Sequence, residues 1–140
     1  VTESISKRRA NGRKEVVMPA KKMHAIPYAL FSTEMRSGKI IKIDDGFTKL
    51  LGYTEDDVKN GLVFKQFVPD LEYSEIIAEL REQFIEKKYA CYRHEVVSKT
   101  GEIRMIVAFF TIQNKLLNGH RVLEVSVADI TDYTHFPETK

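Results

Sequence analysis

Along this chain the spacing of apolar residues changes three times, and each change predicts a different kind of element. Up to residue 21 there is no period; Asn11-Gly12 and Pro19 interrupt the segment, which reads as a linker. From Ile26 two short β-runs follow, residues 27–34 and 39–43, separated by the turn signal Ser37-Gly38. Asp44 or Asp45 then caps a turn carrying Phe47, Leu50 and Leu51, which ends at Gly52. Thr54 opens a second turn, with acids at 55–57 where the helix dipole favours them. One long helix is predicted over residues 72–88, because Ile76, Ile77, Leu80 and Phe84 fall on a single stripe. Three strands close the chain, at 89–98, 103–114 and 121–128, with turns at Lys99-Thr100-Gly101-Glu102 and Leu117-Asn118-Gly119-His120.

Two strands, a group of helices and three meandering strands predict an α+β fold: an antiparallel sheet with helices gathered on one face. The strand from Ile103 departs from the pattern of a sheet with one wet face. Ile103, Met105, Val107 and Phe109 alternate with Ile106, Ala108, Phe110 and Ile112, so both faces are apolar. The outer face is therefore expected to be covered, either by the segment before residue 26 or by a second subunit. Ile106 and Phe110 are assigned to that outer, dimer-forming face.

Length and composition fit one soluble domain: 140 residues, 43% hydrophobic and 30% charged. No apolar run approaches the roughly 18 residues of a membrane span, and no signal peptide is visible at the start. Charge is unevenly placed. Residues 1–24 carry seven Lys/Arg against two Glu, a net of +5. No aromatic residues are interleaved there for base stacking, so no nucleic-acid partner is expected. The single cysteine, Cys91, excludes an internal disulfide and suits a reducing, cytoplasmic compartment. The histidines and the cysteine show no metal-ligand spacing, so no metal site is expected. The seven glycines are isolated turn markers, and no nucleophile–base pair or phosphate loop is evident, so no catalytic residue is assigned. Glu95 and Glu124 could face one another across strands, but solvent-facing positions explain them equally well. The chain opens on Val1 and is expected to be part of a longer protein.

Three stretches together identify a family resemblance. The run from Gly38 through Asp44-Asp45-Gly46-Phe47 to Leu51-Gly52-Tyr53-Thr54-Glu55-Asp56-Asp57 resembles the opening of a PAS domain. Lys99-Thr100-Gly101-Glu102 is similar to its late hairpin turn, and Asp129-Ile130-Thr131 to the Asp-Ile-Thr that closes its last strand. The family's usual asparagine after the second strand is replaced here by Asp44 or Asp45. The resemblance implies a five-stranded antiparallel sheet with short helices and one longer helix on one face, over residues 26–134. Residues 1–25 would be a basic linker or N-terminal cap, and 135–140 the start of a linker to a further domain.

The resemblance also implies a function: a non-catalytic sensory or dimerisation domain, homodimeric, passing its state to a kinase, a cyclic-dinucleotide enzyme or a transcription regulator. The alternative is a purely structural dimerisation module without ligand. Haem is disfavoured, because haem-binding members use a histidine in the helical region and residues 73–88 contain none. Cysteinyl-flavin photochemistry is excluded, because Phe64 stands where the reactive cysteine would be. A small-molecule ligand remains open, its identity unknown. It is expected to touch Phe47, Leu51, Ile77, Leu80, Phe84, Tyr92 and His94, where helix and sheet meet. His94 shares a face with Tyr92 and Val96, and a structural role explains it as readily as a ligand contact. Asp129, Ile130 and Thr131 are assigned to signal output.

Overall fold

The computed structural model describes residues 26–133. The basic segment and the linker after 134 lie outside the described residues. The elements are β1 (Tyr28–Glu34), β2 (Ile40–Ile43), α1 (Asp45–Leu51), α2 (Glu55–Lys59), a 3-10 turn (Phe64–Phe67), α3 (Asp70–Gln83), β3 (Tyr89–Val97), β4 (Ile103–Leu117), β5 (His120–Asp129) and a second 3-10 turn (Thr131–Tyr133). The strands form one antiparallel five-stranded sheet in the order β2-β1-β5-β4-β3. Because β2 and β3 are its two edges, the helices between them must cross one whole face. This is the expected α+β architecture.

Local chemistry sets the crossing. The Asp44 carboxylate accepts from Phe47 N at 2.9 Å, capping α1, and from Leu30 N at 3.1 Å, tying the cap to β1. Gly46 lets α1 lie directly on that strand: a Cβ there would stand 2.3 Å from the Tyr28 carbonyl oxygen. Thr54 and Asp57 form a capping box on α2, and Asp57 also takes the Lys99 ammonium at 3.0 Å. Lys99 N donates to Leu51 O, so the β3–β4 turn is fastened to the end of α1. Asp57 is held below the ordinary carboxylate range, first by its bond from Thr54 N and then by Lys99.

The long helix begins and ends earlier than its periodicity predicts, at Asp70–Gln83, with Phe84 as its C-cap. Pro69 supplies the start, and Ile76 and Leu80 are its buried anchors. β4 runs on to Leu117, because Asn118 and Gly119 both take positive φ in a two-residue turn that keeps the strands paired to their ends.

The core lies between helices and sheet. Its centre is a cluster of phenylalanines, Phe31, Phe47, Phe64 and Phe67, with centroid separations of 5.2 to 6.3 Å and mostly edge-to-face geometry. Phe110 joins from β4 at 6.5 Å from Phe64.

The assignment of Ile106 and Phe110 to an outer face is overturned. Both are core residues, exposed by only 2% and 1%. The register explains the inversion, since it pairs His94 with Ile106 and Ala90 with Phe110, so these share the inward face. The outer apolar residues of β4 are Ile103, Met105, Val107 and Phe109. Glu95 and Glu124 do not meet, as their register partners on β4 are Met105 and Thr111.

Candidate ligand cleft and core cavity

The seven residues expected to line one pocket are distributed among three places. Phe47, Leu51 and His94 line a cavity inside the core, between the helical crossing and the sheet, with a volume of about 10 Å³. That is room for about one water. The phenylalanine cluster fills the rest. Ile77, Leu80 and Phe84 line a separate cleft of about 660 Å³ between α3 and the β1–β2 hairpin. Phe64, Phe110 and Leu123 form its apolar floor. Tyr92, again with His94, borders a shallower groove of about 350 Å³ beside Glu72 and Glu75. The cleft and the groove both reach the volume of an ordinary small-molecule site, and the cleft is the larger and has the apolar floor.

Phe64 and Phe110 both line core cavity and cleft and together stand between them, Phe64 from the helical side and Phe110 from the sheet. The sequence reading used Phe64 only to exclude a flavin adduct, and missed this role. Its position in a short apolar segment just before the long helix was the available signal.

His94 is buried, 4% exposed, between the rings of Phe64 and Tyr92. Its Nδ1 lies 2.9 Å from the carbonyl of Glu95, so Nδ1 carries the proton and donates. Nε2 is then a bare acceptor, buried and without a hydrogen-bond partner. Desolvation drives the His94 pKa below its ordinary 6.5, against smaller opposing effects of the Glu95 carbonyl and the Glu72 carboxylate. The unfolded chain therefore takes up a proton at a higher pH than the native one. Stability is full above pH 6.5 and falls as the pH drops from there toward the native pKa, at up to ~1.4 kcal/mol per unit. Denaturant melts at stepped pH should show this fall in the wild type and a flatter profile in His94→Phe. Equal slopes in both would assign the acid sensitivity to other groups.

At the end of β5, Asp129 is buried at 2% exposure. Its Oδ2 accepts from Arg104 Nε at 2.9 Å and from a terminal guanidinium nitrogen at 2.7 Å. Its Oδ1 accepts from Thr131 N at 2.9 Å and the Thr131 hydroxyl at 2.6 Å. The same hydroxyl accepts from Met105 N, and Ile130 N donates to the Met105 carbonyl. Asp129 thus fixes the direction in which the chain leaves the sheet. Arg104, its pKa raised chiefly by the bond to Asp129, was not foreseen; no local pattern marks a partner 25 residues away.

Among the described residues, no helix is long and apolar enough to cross a membrane, and no group of three or more His, Cys, Asp or Glu could hold a metal.

No protein-family model and no curated protein matches the sequence. Solved structures match the fold. A PAS domain of a protein from Colwellia psychrerythraea superposes with a TM-score of 0.64 at 20% identity, over 81% of this chain and 94% of that one. A PAS domain from a two-component sensor histidine kinase gives 0.60 at 13% identity, over 78% and 90%. PAS-B of Drosophila melanogaster Cycle, a W398A variant with bound glycerol, gives 0.61 at 9%, over 72% and 98%. The capped turn at Asp44, the Leu51-Gly52-Tyr53 helix end, the Lys99 hairpin and the Asp129-Ile130-Thr131 terminus all occupy their places in this architecture, and the chain has the PAS-domain fold.

Proposed function

We propose that this chain is a non-catalytic sensory domain of a cytoplasmic signalling protein, reporting the state of a small-molecule ligand to an attached effector. The effector classes that fit are a kinase, a cyclic-dinucleotide enzyme or a transcription regulator. The observation that carries the reading is the 660 Å³ cleft, whose floor is Phe64 with the sheet residues Phe110 and Leu123 and whose wall is the one long helix. An occupant touching Ile77, Leu80 and Phe84 on α3 and Phe110 and Leu123 on the sheet can change how helix and sheet meet. The Asp129–Arg104 pair joins β5 to β4, so a change in the sheet reaches the chain exit at Ile130 and Thr131. Native mass spectrometry of gently purified protein tests the reading: a retained small molecule supports it, and empty protein under every preparation counts against it.

The alternative, a structural dimerisation module without ligand, is favoured by the filled core, where only about 10 Å³ is open. Both readings include a homodimer through the outer sheet face. There Leu30, Ser126, Phe109 and Cys91 form one row across the sheet, and Tyr28, Ala128, Val107 and Arg93 the next. Tyr28, Leu30 and Phe109 are 66%, 44% and 50% exposed. The face also carries exposed Arg93 and Glu124, so two copies related by a two-fold can pair opposite charges. Phe109→Asp is expected to shift the protein toward monomer in light scattering while its circular dichroism is unchanged. A wild-type monomer would leave this face to residues 1–25 or to solvent.

A further inference from the structure

We propose that the cleft takes an amphiphile: an apolar body with a single anionic head group. The inference rests on the sensory reading above and specifies its ligand class. The body is assigned to the floor and wall already described; the one buried polar side chain of the lining, Thr33, already donates its hydroxyl to the Lys39 carbonyl. The head is assigned to the mouth, where Arg36 from the β1–β2 turn and Arg81 from α3 both line the opening. Both are exposed, and neither guanidinium has an ion pair or hydrogen bond to a described residue.

One carboxylate, Glu34, lines the same mouth, but it already accepts from the Ser37 hydroxyl. With two guanidinium groups against one carboxylate, the rim keeps a net positive charge. Guanidinium groups pair with carboxylate, sulfonate or phosphate oxygens in a forked geometry, and a cationic head finds no matching acceptor beyond Glu34. A cleft of this volume holds a drug-sized body, so the head must stay at the wet rim while the body is buried.

Two dyes with the same ring system test this: anilinonaphthalene sulfonate, which is anionic, and phenylnaphthylamine, which is neutral. Both should brighten on binding, with the sulfonate bound about tenfold more tightly, as two partly exposed ion pairs allow. Raised salt should shrink that advantage. Arg36→Gln with Arg81→Gln should abolish it while leaving neutral-dye affinity and the melting curve unchanged, and Ile77→Asp should weaken both dyes. Neutral-dye binding without an anionic preference, or a preference that survives the double variant, overturns the head-group assignment alone. If neither dye binds, or Ile77→Asp weakens neither, the ligand-cleft reading itself fails.

Discussion

Phe64→Ala is expected to destabilise the domain by about 3–5 kcal/mol and to open its core to apolar molecules. Phe64 is 6% exposed and lies within 6.5 Å, ring to ring, of Phe31, Phe67, Tyr73, His94 and Phe110. Removing the ring deletes those contacts, and the short 3-10 turn that carries it cannot collapse freely, because Phe64 N is bonded to the Gly38 carbonyl. Against a typical total of about 5–15 kcal/mol, such a loss brings the domain close to its limit. The cavity consequence is separate and more specific. With the Phe64 ring gone, only Phe110 of the two residues lining both spaces keeps its ring, and the core cavity is expected to open toward the 660 Å³ cleft. Folded Phe64→Ala protein should therefore take up neutral phenylnaphthylamine more tightly than wild type, and saturating dye should recover part of the lost melting temperature. Phe64→Leu, which keeps most of the volume, should cost about 1 kcal/mol and leave dye binding close to wild type. An alanine variant as stable as wild type would show that the ring does not hold the core.

Much of this arrangement was legible in the sequence because local rules set it. Asp44 caps α1, and the Thr54–Asp57 box caps α2, since short polar side chains at those offsets satisfy the first free amides. The Ile76–Leu80 stripe gave α3 its buried side. What failed was parity in β4. A strand apolar on both faces does not announce which side is inward, and the choice made for Ile106 and Phe110 was the wrong one of two.

The information to decide it was nevertheless present. The Lys99–Gly101 turn fixes a register in which His94 pairs with Ile106, so placing His94 inward and Ile106 outward was inconsistent. One feature had no local signal and another only a partial one. The Arg104–Asp129 pair joins strands whose alignment depends on the whole meander, and the separation of cleft from core depends on where Phe64 comes to rest. The helix stripe was read correctly, yet Leu80 faces a different opening from Phe47 and Leu51, because α3 packs toward β3 and leaves its other side open to the β1–β2 hairpin.

Asp129→Ala is expected to cost about 3 kcal/mol or more, because a buried charge pair broken on one side leaves its remaining donors unmatched. The Asp129 side chain is 1% exposed, whereas that of Arg104 is 24% exposed. The guanidinium can thus recover some water, which keeps the expected cost toward the lower end. Losing Oδ1 also removes its bonds from Thr131 N and the Thr131 hydroxyl, the hydroxyl that accepts from Met105 N and holds the exit against β4. Thr131→Ala removes only the hydroxyl and should cost about 1 kcal/mol. Asp129→Asn separates charge from shape: it can still accept from Thr131 but no longer offers Arg104 a full negative charge, and its cost should fall between the two. Denaturant unfolding monitored by circular dichroism ranks the three variants, and the ranking is the test. Were Asp129→Asn as stable as wild type, the ion pair would be dispensable and the turn bonds alone would fix the exit. In a protein with its effector attached, Asp129→Asn should also change basal output while leaving dye affinity at the cleft unaltered, since the pair lies at the chain exit and lines no part of the cleft. Loss of dye binding together with output would instead mean that the substitution disturbs the whole sheet.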